Sequence, residues 1–526
     1  MTKKGLLILG LAMLMNWAAR AQAIPSAIDV QHYTFHIQLN DQNNSIKGQA
    51  EIAVKFLTTE DQFQLNLVKK NTGGKGMTVL AVTDEHQPVR FTQDSIGINI
   101  FTKAKINTIH HYLISYEGIP ADGLIISTNK YGKRTFFGDN WPNRAQNWLP
   151  CHDHPSDKAS VEFLVTAPDH YQVVANGLKL EEKALAGHLK LTHWKETVNL
   201  PTKVMVIGVA DFAVSQSGTV SGTPVYSYVY PENKVQGFKD YAFADKILPF
   251  YIQHIGAYPY KKLANVQSTT IFGGMENASA IFYFENSVGD KGVESLIAHE
   301  IAHQWFGDAV TEIGWQHLWL SEGFATYMTN CYLEHTYGAD SLKHIMLQQR
   351  KKVLGFEKKR LTPVIDTAVT SNYMQLLNAN SYEKGAWILH MLRRKIGDTA
   401  FWEGIHSYFA KYSGRNASSD NLRLVMEQVS KQNLKPFFNQ WLRTAGHPKL
   451  AVSWQYDDVK KILNMQIEQQ QANLYTLPLE YSVNGKVYSV LITKKVTAVQ
   501  LPLAAKPAAV EIDPLVNLLA EFEVKF

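Results

Sequence analysis

The sequence predicts a multidomain α+β protein, arranged as β, then mostly α, then β again. Three observations predict it. At 526 residues the chain is too long for one hydrophobic core, so about two to four domains are expected. Apolar residues alternate with polar ones to about residue 215, recur at three- and four-residue spacing to about Gly446, and then alternate again. Hydrophobic residues make up 45% and charged residues 19%, a balance that suits an ordered chain and excludes long disorder.

The first element is residues 1–23. "MTKK" is a basic opening, "GLLILGLAMLMNW" a short apolar run, and "AQA" at Ala21–Ala23 a small-x-small cleavage site. The run is shorter than the roughly 20 residues a membrane span needs. It reads as a cleaved signal peptide, with an exported soluble protein in the periplasm or outside the cell and no stable membrane insertion after cleavage. Lys3, Lys4 and Arg20 account for three of the +5 net charges. What remains is too mild to suggest nucleic acid as a partner.

Residues 24–215 read as an N-terminal β domain. Tyr33, Phe35, Ile37 and Leu39 alternate with polar residues, as do Ile46, Ala50, Ile52, Val54 and Phe56. Gly73-Gly74 and Asn176-Gly177 mark turns. Residues 216–446 read as mainly helical, beginning near "YPENKVQGFKDYAFADKILPFYIQHIG". "SSDNLRLVMEQVSKQ" opens with residues that cap helix N-termini. Residues 447–526 read as a small β domain. Leu450, Val452, Trp454 and Tyr456 alternate, and Asn484-Gly485 in "YSVNGKVYSVLI" supplies a hairpin turn. Cys151 and Cys331, the only two cysteines, are expected to be unpaired, and neither is a candidate nucleophile.

The chemistry starts at "HEIAHQWFGD", residues 299–308. "KGVESLIAHEIAHQWF" has helical patterning ending at Gly307, which puts His299 and His303 on one face where both imidazoles can hold a zinc ion. Glu300 points away from the metal but reaches a water beside it, as a general base does. Two ordinary helix histidines give the same letters, so a third ligand decides the matter. Glu322 stands near the start of a second helical stretch, "HLWLSEGFATYMTNCYLEHTYG", far enough along for a loop and a return. Position 309 is Ala, so the metzincin histidine is absent. His317 reads as an ordinary surface residue, and Asp308 and Glu312 as solvated or supporting groups.

"HEIAHQWFGD" followed by "EGFATY" resembles the gluzincin aminopeptidases. "GGMEN" at Gly273–Asn277 matches the family's G-x-M-E-N motif, and "SYEKG" places Tyr382 at its catalytic tyrosine. The resemblance implies an N-terminal β saddle, a thermolysin-like mainly helical zinc catalytic domain and a small C-terminal β-sandwich-like domain. It implies one Zn2+ per chain on His299, His303 and Glu322, with Glu300 as general base and Tyr382 donating to the oxyanion. It implies peptide substrates with a free N-terminus, the cationic amine held by Glu276. Gly273, Gly274, Met275 and Asn277 would lie along the substrate. The activity implied is removal of the N-terminal residue from peptides.

The sequence departs from the family pattern in places. Where relatives carry a second amine anchor, this chain reads "FFGDNWPNRAQNW", leaving Asp139, Asn140 or Gln146 as replacements. Ser321 and Asp308 stand where Asn is common. The chain stops after the small β domain, where many relatives add a helical one, which suggests a more open cleft. Arg393 or Arg394 is a candidate for the far end of the substrate, or a solvated helix residue. The rival readings are a metalloendopeptidase, which "GGMEN" opposes, an epoxide hydrolase, for which no residue here speaks, and a non-catalytic scaffold of the same fold. Side-chain preference and oligomeric state are not written in the sequence.

Overall fold

The computed structural model of the protein describes residues 26–525; the expected signal peptide lies outside them. The period-two runs form a large eight-stranded sheet, whose strands run in the order Leu178–Leu185, Leu189–Leu200, Ala159–Pro168, Ile28–Gln38, Ile46–Phe56, Ile109–Ile119, Gly76–Asp84 and Gln87–Pro88. The pairing of Ile28–Gln38 with Ala159–Pro168 is parallel, with His32 opposite Ser160. Tyr33, Phe35, Ile37, Ile46, Ala50, Ile52, Val54 and Phe56 are all buried, so the alternation does face a core. Each large apolar side chain removed from water there contributes about 1.5–3 kcal/mol. A four-stranded sheet and a three-stranded one accompany the large sheet and share its core.

The strands do not stop at residue 215. The hairpin Ala213–Val220 and Thr223–Val229 joins Leu263–Ser268, Ala280–Phe284 and Gly274–Met275 in a five-stranded sheet. Leu263–Ser268 is buried at every position, so its burial shows no alternation. Its sequence alternates only over Ala264–Gln267, too short a run to mark a strand, and its polar residues Asn265 and Gln267 are buried all the same.

The helices follow: α1 (Lys234–Tyr241), α2 (Ala244–His254), α3 (Val293–His303), α4 (Trp319–Tyr337), α5 (Ala339–Glu357), α6 (Gly385–Ile396), α7 (Asp398–Tyr412), α8 (Ser419–Ser430) and the short α9 (Lys435–Phe438). Among the described residues no helix is long and apolar enough to cross a membrane. Ser418 caps α8, its hydroxyl accepting from the Asn421 N–H while Asn421 bonds back.

Beyond Gly446 lie a four-stranded sheet and a three-stranded one. Asn484 (φ 50°) and Gly485 (φ 82°) turn the expected hairpin. Apolar side chains from both sheets, among them Leu450, Ile467, Leu479 and Leu519, pack into the same core as the helices. Cys151 and Cys331 are free and buried, each in a different core.

Candidate metal centre and cleft

α3 ends at His303, four residues before Gly307. The chain leaves the helix through a turn in which Gly307 adopts φ +121°. A Cβ on Gly307 would overlap the Ser321 hydroxyl, so glycine is required for the close return of α4. The return runs through Val310–Glu312 and a turn at Trp315–His317. It sets Glu322, in the first turn of α4, against the two histidines of α3.

The three donor atoms converge. His299 Nε2 and His303 Nε2 lie 3.1 Å apart. Glu322 Oε2 lies 3.4 Å from the first and 3.2 Å from the second. Tetrahedral zinc with bonds of about 2.0–2.1 Å spaces its ligands about 3.3 Å apart, so the trio fits zinc. Glu322 Oε2 is also buried with no hydrogen-bond donor on it. His303 Nδ1 lies 3.1 Å from the Phe306 carbonyl; donation to that oxygen leaves Nε2 bare for a metal. Ser321 Oγ, also 3.1 Å from His303 Nδ1, supports the same ring.

Without a metal the trio shares protons. The Glu322 and Glu276 carboxylates outweigh burial and push His303 up to about 10. Glu322, although buried, is held well below the usual carboxylate range by His303 and His299. Burial lowers His299. Burial, reinforced by Glu276 and Glu322, raises Glu300 well above its ordinary value, the direction expected of a carboxyl that exchanges protons near neutrality.

The opposite wall is a strand. Gly274–Met275 pairs with Ala280–Phe284 at the edge of the five-stranded sheet. A Cβ on Gly274 would overlap the Glu300 carboxylate, so only glycine lets this strand pass so close to α3. Glu276 is buried, and one of its oxygens lies within 4.8 Å of Glu300 and His303 donor atoms. Behind the strand Gln304 acts as a clamp. Its amide donates to the Glu276 carbonyl at 2.7 Å and to Asp308 at 3.0 Å, and it accepts the Ser279 N–H at 2.7 Å. Ser279 sits at φ 62°, and Lys262 and the Gly177 N–H hold it from the other side.

Tyr382 comes from a third direction, on a π-turn (Asn380–Lys384) that runs into α6. Its ring stacks 6.0 Å from His299, 13° from parallel. Burial and the Glu322 and Glu276 carboxylates raise its phenol well above the ordinary value, so it is protonated and able to donate. Gly323 and Gly385 set this distance. A Cβ on Gly323 would lie 2.8 Å from the Gly385 Cα, and the two backbones touch beside Glu322 and Tyr382.

Gly273, Gly274, Met275, Glu276, His299, Glu300, His303, Glu322 and Tyr382 line one cleft of about 270 Å³. Asn277 does not line it and is fully buried. Trp141, Phe272, Leu296 and Leu377 complete the walls. Sequence reasoning missed these four: Trp141, Phe272 and Leu377 are apolar residues in turns and loops, Leu296 is one apolar residue among several on α3, and neither setting carries a signal that would single them out. Trp141 is the contribution of the N-terminal region, its ring edge-on to Phe272 at 6.1 Å.

Several expectations are corrected. Asp139 is fully buried and occupied by Arg144, Thr270 and the Ile271 N–H. Asn140 donates to the Thr202 and Met205 carbonyls and accepts from Trp148. Gln146 donates to Asn143. None of the three lines the cleft, so none is the second amine anchor. Arg393 is bound to Glu334 and Asp398, and Arg394 lines a separate cavity against the C-terminal strands; neither reaches the cleft. His317 is half-buried rather than on the surface. It bonds Ser419 at 2.9 Å, and burial pushes it down to about 4. Asp308 and Glu312 are buried, not solvated. Glu312 pairs with Lys203 at 2.7 Å.

Two family models match the chain: the "Peptidase M1 N-terminal domain" over residues 29–204 and the "Peptidase family M1 domain" over residues 241–441. Similar proteins include "Aminopeptidase M1-C" of Oryza sativa subsp. japonica, 28% identical over 60% of this chain and 38% of its own length. "Probable aminopeptidase 2" of Sulfurisphaera tokodaii is 26% identical over 92% of this chain and 63% of its own. "Endoplasmic reticulum aminopeptidase 2" of Homo sapiens is 32% identical over 53% of this chain and 31% of its own. The matched part thus spans less than two thirds of each relative.

Proposed function

The chain belongs to the M1 peptidase family, and on that premise we propose that it is a zinc-dependent aminopeptidase that removes the N-terminal residue from peptides. The observation that carries the reading is the pairing of a zinc-sized donor trio with a second, buried carboxylate beside it. Glu276 faces the same cleft as the trio and, among the described residues, makes no direct ion pair with a lysine or arginine, Lys203 acting on it only from a distance. A buried carboxylate without a cation is a seat for one, and the free α-amine of a peptide is the cation that brings a scissile bond to Glu300.

His299, His303 and Glu322 would hold the ion. Bound zinc supplies Lewis acidity, polarising a carbonyl and acidifying a water. Glu300 takes the proton of the attacking water and delivers it to the leaving amine. Tyr382 donates its hydroxyl hydrogen to the oxygen on which negative charge develops. Gly273 and Gly274 leave the strand backbone bare to the peptide, and Met275, Trp141 and Phe272 border the first side chain. The names of the relatives support the same activity.

The reading extends to organisation. Residues 24–215, 216–446 and 447–526 approximate the saddle, catalytic and β-sandwich-like domains, the strand Ala213–Val220 belonging with the second, and the basic, apolar and small-residue pattern of residues 1–23 supports export to the periplasm or beyond. A panel of single-amino-acid fluorogenic amides, each free or acetylated at its amine and assayed with and without chelator, tests the function. Chelator-sensitive release from free amines only is expected. Equal cleavage of blocked substrates would establish the endopeptidase reading instead, and no cleavage at all would leave the scaffold.

A further inference from the structure

Lys384 follows Tyr382 by two residues on the same π-turn, and its side chain is fully buried. Its ammonium donates to Glu357 Oε1 at 2.7 Å, at the C-terminal end of α5, and to the Gly446 carbonyl at 2.7 Å. The other Glu357 oxygen meets His447 Nδ1. Tyr475, in the C-terminal β region, donates to the same Gly446 carbonyl at 3.0 Å. Gly446 and His447 stand one residue, Pro448, before the strand Lys449–Asp457. One buried ammonium therefore joins three parts: the turn bearing Tyr382, the end of α5 and the junction into the C-terminal sheets.

Stability does not account for such a group. Burying an ion pair costs as much as it returns, and a well-packed apolar side chain serves stability equally well. What a fully paired buried network does supply is a unique position. The Tyr382 turn is bonded at its two ends, where the Ser381 N–H meets the Asn378 carbonyl at 3.0 Å and the Lys384 N–H meets the Ala379 carbonyl at 2.8 Å, while the Tyr382 N–H between them reaches the Asn378 carbonyl only at 3.3 Å. One side of the turn is set by Asn380, which donates to the Thr362 carbonyl at 2.9 Å. Another is set by the Gly323–Gly385 approach.

We propose that Lys384 is a positioning residue: through Glu357 and the Gly446–His447 junction it fixes the turn that aims the Tyr382 hydroxyl into the cleft, so that the seating of the C-terminal β region bears on turnover. This rests on the oxyanion role of Tyr382 proposed above.

The test uses the full chain loaded with zinc. Lys384→Met keeps an unbranched apolar stem, one atom shorter than the lysine, and removes its charge. Zinc content should stay at one per chain and the Michaelis constant within about threefold, while kcat falls about 10²-fold, the cost of a misplaced catalytic group. Amide exchange should quicken at residues 379–386. In a Tyr382→Phe background the same substitution should cost little more, because two residues acting through one contact are not additive. Glu357→Gln, which keeps an acceptor, serves if the Met variant does not fold, and should lie between the two.

An unchanged kcat overturns the proposal, as does an equal loss with and without the Tyr382 hydroxyl. If the parent protein cleaves no free-amine substrate, the functional reading has failed instead. Exchange then decides for the positioning role of Lys384 alone: faster exchange confined to residues 379–386 keeps it, and unchanged exchange overturns it.

Discussion

The two walls of the cleft are built on different principles. His299, Glu300 and His303 stand within five residues of α3, where backbone hydrogen bonds fix their relative positions, and Glu322 joins them one short excursion later. The other wall is a two-residue strand, a π-turn and a loop. Its residues are held at a distance, by Gln304, Lys262 and Lys384. The first wall decides whether a metal binds. The second decides which substrate is held and how fast it turns over.

The largest expected effect sharpens that division on the helical wall. Glu322→Ala removes one of three ligands, so zinc content and activity should fall together; full zinc in the purified variant would falsify the assignment. Glu300→Gln leaves the trio intact. Zinc should stay while turnover drops about 10²–10⁴-fold, and metal loss in that variant would make Glu300 a structural group.

On the other wall no substitution should release zinc. Tyr382→Phe keeps the ring stacked on His299 and removes the donor. Turnover should fall about 10²–10³-fold with zinc and the Michaelis constant little changed. Normal turnover with a lowered melting temperature would reduce Tyr382 to a packing residue. Glu276→Ala should act on selectivity. The preference for a free over an acetylated amine should shrink about ten- to a hundredfold, the worth of a hydrogen bond to a charged group. An unchanged ratio would move the anchor elsewhere.

The subtlest effect is a slope. In the metal-free protein His303 is protonated up to about pH 10, because Glu322 and Glu276 face it. Its raised pKa stabilises the metal-free fold at low pH, fully so below its unfolded value near 6.5, and that contribution is lost as pH rises through about 10. Zinc must displace this proton, so apparent zinc affinity should rise with pH, by about tenfold per unit below pH 10. Chelator competition between pH 6 and 9 measures it, and a flat profile would show that the proton resides elsewhere. The same competition on Glu276→Ala should give a shallower slope toward high pH, since one of the two carboxylates raising His303 is gone.

How much of this was legible follows from the range of the interactions involved. The alternation of Tyr33, Phe35 and Ile37, the Asn484-Gly485 turn and the Ser418 cap are local, and the sequence determines them. The same holds for the spacing of His299, Glu300 and His303, because a helix repeats within four residues. Glu322 was a candidate from its place at the start of a second helical stretch and was assigned by the family motif, while Glu276 and Tyr382 were read from family motifs alone. Nothing local brings a two-residue strand, a second helix and a π-turn to one point. Tertiary structure alone decided that Asp139 is spent on Arg144 and Thr270, that Trp141 rather than a polar neighbour faces the cleft, and that Asp308 and Glu312 are buried. Whether a carboxylate lies in water, in an ion pair or beside a substrate depends on what packs over it, and those partners stand tens to hundreds of residues away in the chain.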